Sequence, residues 1–230
     1  MRFRAAIFDF DETMIDLEPQ HAAADRALCL AMGSDFDELP ASHMNASGRR
    51  IVDEIGEMKA WFGWATELSD LERLRREAFD QVCRESEISL LPGVDAAVRA
   101  FEKAGLMLAI TTSAVREPIE ILLERVGLLD AFPVIVDGSE VEHPKPHPEP
   151  YLLTAHRLGV SAEQCIVFED SGVGVTAAKA AGTHCVAVRN PNAKTRQDLD
   201  AADLVLDSLE DLNVRDLLAN AEESSPPLTG

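Results

Sequence analysis

Two short acidic clusters, Asp9-Phe10-Asp11 and Glu169-Asp170, each follow an apolar run: Ala5-Ala6-Ile7-Phe8 in the first case, Cys165-Ile166-Val167-Phe168 in the second. Such runs read as strands buried on both faces of a parallel sheet. In an open α/β sheet, ligands bind beyond the carboxyl ends of the strands, where both clusters fall. A spacing of two on an extended chain aims Asp9 and Asp11 toward the same side. Two acids at one site can divide into a nucleophile and a general acid/base, the division that phosphate-ester cleavage needs. Asp9 and Asp11 could instead close a strand and cap a turn, and the two clusters could be unrelated acidic loops. That both obey one positional rule weighs against this. Four converging carboxylates repel one another, which argues for a bound divalent ion with hard oxygen ligands, Mg²⁺ being the usual choice with phosphates.

Two further segments carry phosphate-binding chemistry. Thr111-Thr112-Ser113 follows the apolar Leu108-Ala109-Ile110 and places hydroxyls and free backbone N–H groups ahead of a helix starting near Arg116, a position that favours anions. Ser and Thr are also ordinary N-cap residues, so this segment decides nothing alone. Lys145 lies in His143-Pro144-Lys145-Pro146-His147-Pro148, where the following proline keeps it out of helical geometry and flanking rings stiffen the loop. A lone lysine is ordinarily a solvated surface group; a stiff loop holding one ammonium points to charge placement. Ser171-Gly172-Val173-Gly174 supplies the glycines for a tight turn from Glu169-Asp170 into a helix.

These residues must be positioned by an alternation of strands and amphipathic helices. Strands are expected at Ala5 to Phe8, Met107 to Thr111, Val134 to Val136, Cys165 to Phe168 and His184 to Val188, with a weaker one at Leu204 to Val205. Helices are expected at Val94 to Lys103, Arg116 to Val126, Glu149 to Arg157 and Gly174 to Ala180, giving the βαβ rhythm of a doubly wound, Rossmann-like parallel sheet. Residues 16–91 break the rhythm with helical patterns at Gln20 to Met32, Arg49 to Phe62 and Leu68 to Glu85 and no convincing strand. An inserted all-helical domain is the simplest account. Pro92-Gly93 marks the return. The expected division is thus a core of residues 1–15 and 92–219, a helical insertion at 16–91, and an acidic, Ser/Pro-rich tail at 220–230 that should be disordered.

Composition narrows the partners. With 21 basic against 41 acidic residues, the formal charge of −20 repels nucleic acid and anionic lipid over most of the surface. No apolar run approaches the length needed to cross a bilayer, and the N-terminal run stops at Asp9, too early for a secretory signal. The four cysteines, Cys29, Cys83, Cys165 and Cys185, are scattered among apolar neighbours without metal-ligand spacing, as expected of reduced, buried thiols in a cytoplasmic protein. A small phosphate ester remains accessible to such a chain, because one cation and a few aimed donors reverse the field locally. A monomer or weak homodimer is expected.

The ordered set Asp9-Phe10-Asp11, Thr112, Lys145 and Glu169-Asp170 resembles the four motifs of the haloacid dehalogenase superfamily, particularly its β-phosphoglucomutase-like branch. Lys145-Pro146-x-Pro148-x-x-Tyr151 and Phe168-Glu169-Asp170-Ser171-x-x-Gly174, with Ala177-Ala178 and Ala181-Gly182, match family signatures in phase with one another. The resemblance implies that Asp9 attacks phosphorus to form an aspartyl-phosphate, and that Asp11 protonates the leaving oxygen and then activates water. It implies phosphoryl-oxygen contacts from Thr112, with Ser113 beside it, and Lys145. Mg²⁺ would be held by Asp9, the Asp11 backbone carbonyl and Asp170, with Glu169 as an alternate or neighbouring ligand.

The same resemblance makes the helical insertion a cap whose closure excludes water and selects substrate. Asp16-Leu17-Glu18-Pro19-Gln20-His21 looks like its lead-in, and Glu18, His21, Arg49 and Arg50 are the candidate substrate contacts. Two positions depart from the family pattern. Glu12 stands where Gly is usual, adding stiffness and negative charge that could slow catalysis, alter the substrate, or be turned harmlessly to solvent. Leu17 stands where a hydroxyl residue is common, which removes a hydrogen bond that helps mutases position the acid/base. The expected activity is therefore Mg²⁺-dependent hydrolysis of a small phosphorylated metabolite such as a sugar phosphate. A sugar phosphomutase is the alternative, followed by a non-catalytic phosphometabolite-binding protein and, more weakly, a dehalogenase.

Overall fold

The computed structural model describes residues 3–40, 51–114, 116–190 and 197–223. In chain order the elements are β1 (Ala5–Phe8), α1 (Glu18–Ala31), α2 (Ile51–Phe62), α3 (Leu68–Glu85), α4 (Val94–Lys103), β2 (Met107–Thr111), α5 (Arg116–Arg125), β3 (Val134–Val136), α6 (Glu149–Leu158), β4 (Cys165–Glu169), α7 (Gly172–Ala181), β5 (His184–Val188), β6 (Leu204–Leu206) and α8 (Val214–Glu223). The strands form one all-parallel sheet in the order β3-β2-β1-β4-β5-β6. The chain runs outward from β1 in one direction, then resumes beside β1 at β4, so the β1/β4 boundary is the switch point where such sheets bind ligands.

Period-two alternation along the strands feeds two cores. Ala6 and Phe8 of β1 join Val98 and Phe101 of α4 and Ile119 and Leu122 of α5 on one face. Ala5 and Ile7 join Tyr151 of α6 and Val175 and Ala178 of α7 on the other. A third apolar cluster lies among α1, α2 and α3, where Leu28, Ile55, Met58 and Leu71 pack together. The helical insertion thus has a core of its own.

Most expected elements appear with small shifts at their ends. α1 begins at Glu18 rather than Gln20, because Pro19 is favourable in a first helical turn. α7 begins at Gly172, with Ser171 capping it by accepting from the Gly174 N–H. The helix α8 was not expected, and it continues to Glu223, into the stretch from Asn220 read as structureless. Val214, Leu217 and Leu218 pack at helical spacing against the core, and helix formation spreads from that anchored face. Residues 224–230, like Arg49 and Arg50, lie outside the described residues.

Re-entry from the insertion into the sheet depends on Gly93, which precedes α4 at φ +83°. A Cβ there would lie 2.3 Å from the backbone nitrogen of Glu210 and 2.3 Å from the carbonyl carbon of Leu209. Gly93→Ala combines left-handed strain with overpacking against backbone that cannot yield, so it is expected to destabilise the protein by about 2–5 kcal/mol, read as a lowered urea midpoint at unchanged slope.

Candidate active site

Phe8 and Phe168 are register partners on β1 and β4, and their rings stack at 4.6 Å with the planes 14° apart. Phe101 and Phe132 close on Phe8 edge-first. The ladder extends one residue further, the Asp9 N–H donating to the Phe168 carbonyl at 2.9 Å. This aromatic floor delivers the next residue of each strand, Asp9 and Glu169, to the same place at the sheet's carboxyl edge.

Between them sits Lys145. Its Nζ donates to Asp9 Oδ1 at 2.6 Å, Glu169 Oε1 at 2.6 Å and the Thr111 carbonyl at 3.2 Å. The lysine side chain is only 3% exposed, so it is not a solvated surface group. Burial alone would push its pKa down, but the Asp9 and Glu169 carboxylates hold it above the ordinary lysine value, and the ammonium stays charged.

Glu169 is fully buried and both its oxygens are committed. Oε1 accepts from Lys145 and from the Tyr151 hydroxyl; Oε2 accepts from the Ser171 N–H at 3.3 Å and the Ser171 hydroxyl at 3.0 Å. Burial, with the charges of Glu169 and Asp9, drives the Tyr151 pKa well up, so the phenol remains a donor. Gly174 makes room for this arrangement: a Cβ there would lie 1.9 Å from the Glu169 carboxyl carbon. Glu169 is thus held as the partner of Lys145, Tyr151 and Ser171 inside the acid cluster.

Asp170 is 3% exposed and held from two sides. Thr13 Oγ1 donates to its Oδ1 at 3.2 Å, and Gln197 Nε2 donates to its carbonyl at 2.7 Å. Asp9, Glu169 and Asp170 each bring a carboxylate oxygen within 4.8 Å of the others. Burial first, then Glu169 and Asp11, raises the Asp9 pKa well above the usual carboxylate range, against the opposing pull of Lys145. Burial, Asp9, Glu169 and Glu12 do the same to Asp170. Lys145 alone does not neutralise three buried acids, and an all-oxygen set of this charge fits Mg²⁺, with Asp9, Glu169 and Asp170 the carboxylates close enough to share one ion.

The remaining expected residues spread around a cavity of about 270 Å³ lined from the sheet side by Phe10, Asp11 and Ser113 and from the helical insertion by His21, Ile51, Ile55, Arg75 and Phe79. Thr112 is buried, but its N–H is already donated to the Val136 carbonyl, and its hydroxyl accepts from the Ala114 N–H at 3.0 Å. Backbone donation to an anion from Thr112 itself is therefore excluded by the sheet ladder, and only its hydroxyl hydrogen remains. Glu18, in the first turn of α1, does not line this cavity among the described residues and instead adds to the field on Glu12.

Asp11 is half-buried and its Oδ2 lies 3.9 Å from His21 Nε2. Arg75 explains the imidazole's orientation. Its Nη2 lies 3.0 Å from His21 Nδ1, and arginine can only donate, so Nδ1 accepts and the proton rides on Nε2, facing Asp11. Asp25 holds Arg75 Nε at 2.8 Å, while Phe79 stacks on the imidazole at 4.5 Å. Sequence reading missed Arg75, although a signal was present. It falls in step with the buried Leu71, Phe79 and Cys83 on one face of α3, where a charged residue calls for a partner. Thr13 and Gln197 left no comparable trace.

Glu12 has φ +65°, the only positive value of a non-glycine among the described residues, which costs about 1–2 kcal/mol in an L-residue. Its carboxylate is not turned to solvent. It accepts from Asn190 Nδ2, and burial with Asp16, Glu18 and Asp11 pushes its pKa up to about 7. Tyr151→Phe tests the support beneath Lys145: deleting one donor to the buried Glu169 is expected to cost about 1.5–3 kcal/mol in urea unfolding without changing the fold by circular dichroism.

Comparison with known proteins fits this geometry. Residues 6–188 match the family described as haloacid dehalogenase-like hydrolase. Hexitol phosphatase B of Escherichia coli (strain K12) is 33% identical over 220 residues, covering 93% of this chain and 96% of its own. The crystal structure of CbbY from Rhodobacter sphaeroides in complex with phosphate is 27% identical with a TM-score of 0.80, covering 92% of this chain and 96% of that one. A β-phosphoglucomutase from Clostridium difficile shares the fold at a TM-score of 0.80 and 23% identity, over 96% of this chain and 98% of its own. With the motifs in order along the chain and gathered at one sheet edge, the chain belongs to the haloacid dehalogenase-like hydrolase family.

Proposed function

We propose that this phosphoric monoester hydrolase acts on a small sugar phosphate or related polyol phosphate, with Mg²⁺ and through an aspartyl-phosphate on Asp9. The observation that carries the reading is the Lys145 ammonium bonded at 2.6 Å to both Asp9 and Glu169 beside the buried Asp170. The substrate class is supported by the hexitol phosphatase relative. A cytoplasmic setting is supported by four free, buried cysteines. In domain terms the proposed cap is residues 16–91, set on a core of residues 1–15 and 92–219.

In this reading Asp9 Oδ1 stays on Lys145 while its other oxygen attacks phosphorus. The ester P–O bond breaks, and the leaving oxygen takes the proton of Asp11. Water then attacks the aspartyl-phosphate, gives its proton to the Asp11 carboxylate, and frees inorganic phosphate as the bond to Asp9 breaks. Lys145, giving up its 3.2 Å bond to the Thr111 carbonyl, and the Thr112 hydroxyl bind the phosphoryl oxygens, with Ser113 at the rim. Asp9, Asp170 and the Asp11 carbonyl would hold Mg²⁺, which when bound would neutralise phosphoryl charge. His21 orients Asp11. Their 3.9 Å separation is roughly 1 Å longer than a hydrogen bond, a gap that closure of the helical cap onto substrate would remove. Leu17 is buried in the apolar core and offers Asp11 no hydroxyl, which favours release to water over return of the phosphoryl group to an isomerising sugar.

A panel of hexose and hexitol phosphates, assayed for free phosphate and isomerised product, tests this directly. Phosphate release is expected to require Mg²⁺ and to fall at least about a thousandfold in Asp9→Asn, with native circular dichroism retained. Undiminished turnover in that variant, or isomerised product in place of phosphate, defeats the proposal.

A further inference from the structure

The loop that carries Lys145 into the buried acids has an outer side that the proposed reaction does not use. His143 and His147 flank the lysine at equal sequence distance and fold back over the start of α6, their ring centroids 4.7 Å apart with the planes inclined at 34°. Glu149 lies between them. Its Oε2 is 2.9 Å from His143 Nδ1 and 3.9 Å from His147 Nδ1, and one ligand atom from each of the three residues lies within 4.8 Å of the others. The side chains are accessible, His143 at 58%, His147 at 50% and Glu149 at 30%.

We propose that His143, His147 and Glu149 form a second metal site, selective for a borderline divalent ion of the Zn²⁺ type and separate from the buried acid cluster. Bonds of about 2.0–2.1 Å from imidazole nitrogen and carboxylate oxygen to a tetrahedral Zn²⁺ put neighbouring ligand atoms roughly 3.3 Å apart. The separations of 2.9 and 3.9 Å bracket that value, and exposed side chains can adjust by the difference. Two imidazoles with one carboxylate is a donor set that ranks Zn²⁺ far above Mg²⁺, whereas the all-carboxylate cluster inside has the opposite preference. The two sites thus sort two ions by ligand chemistry.

Hydrogen bonding within the loop sets what binding must displace. His143 Nδ1 shares a proton with Glu149 Oε2, and the ion takes that position while the imidazole proton moves to Nε2 through solvent, with no net proton change for a neutral ring. His147 Nδ1 accepts from the Glu149 N–H at 3.2 Å; that bond is given up, and the N–H, at the exposed start of α6, passes to water. Glu149 Oε1 keeps the Glu142 N–H at 2.8 Å and Oε2 keeps the His143 N–H at 3.0 Å on one lone pair, so the carboxylate stays anchored while the other lone pair of Oε2 meets the metal. A fourth position opens to solvent. Because the ligands lie on both sides of Lys145, the bound ion ties the two ends of its loop to α6.

Calorimetric titration of Zn²⁺ into the full-length chain, held in excess Mg²⁺ to fill the acid cluster, tests the site. The wild type is expected to bind one Zn²⁺ per chain. His143→Ala and His147→Gln, both at exposed positions, should each weaken that event at least tenfold, while Asp170→Asn leaves it unchanged. Co²⁺ should give the intense visible absorption of tetrahedral coordination in the wild type and lose it in both histidine variants. Superimposable titrations of wild type and the histidine variants, or loss of the event in Asp170→Asn alone, would overturn the proposal. Neither readout depends on phosphatase turnover.

Discussion

A single buried ammonium decides how the rest of this molecule is arranged. Lys145 lies with its charge against Asp9 and Glu169, carboxylates that reach it from 136 and 24 residues away along the chain. Desolvating those three groups is costly, and the cost is met only when each has its partner at hydrogen-bonding distance. Everything near the cluster serves that requirement. Tyr151 shares Glu169 Oε1 with Lys145, Ser171 occupies Oε2, and the absence of a side chain at Gly174 leaves space for the carboxyl group. The Phe8–Phe168 stack fixes the two strand ends at a common height. A residual excess of negative charge remains on Asp9 and Asp170, and that excess suits a divalent cation.

Among the described residues, a charged contact line joins the helical insertion to this centre. Asp25 holds Arg75, Arg75 fixes the tautomer of His21, and His21 presents its N–H toward Asp11. The line crosses from α1 and α3 to the segment following β1, so the orientation of the proposed acid/base responds to the pose of the helical layer. Glu12 sits at the same crossing in a left-handed backbone conformation suited to glycine. Its carboxylate is drawn to Asn190 and surrounded by Asp11, Asp16 and Glu18, so the departure from the family pattern is absorbed into the wall of the site.

The sheet was legible because buried parallel strands are nearly uninterrupted apolar runs. Ala5–Phe8, Met107–Thr111, Val134–Val136 and His184–Val188 have the ends read from sequence. The acids were legible because they terminate such runs. What stayed hidden depends on neighbours remote in sequence. α8 owes its length to docking of Val214, Leu217 and Leu218, which a polar tail does not advertise. The commitment of the Thr112 N–H to Val136 depends on which strand lies beside β2. Glu169 and Asp170 look equivalent on paper, but alternate side-chain directions along the chain send one to Lys145 and leave the other to Thr13.

The order of the parts has a consequence for synthesis on the ribosome. Asp9 emerges early, whereas Lys145 and Asp170 follow only after the helical layer and half the sheet have been made, and β4 must insert beside β1 before Asp9 gains its last backbone bond. A nascent chain halted before that insertion holds its first acid without either the cation or the second acid. Such a fragment lacks the assembled acid–ammonium cluster, so the topology postpones that cluster until the fourth of the six strands has been made.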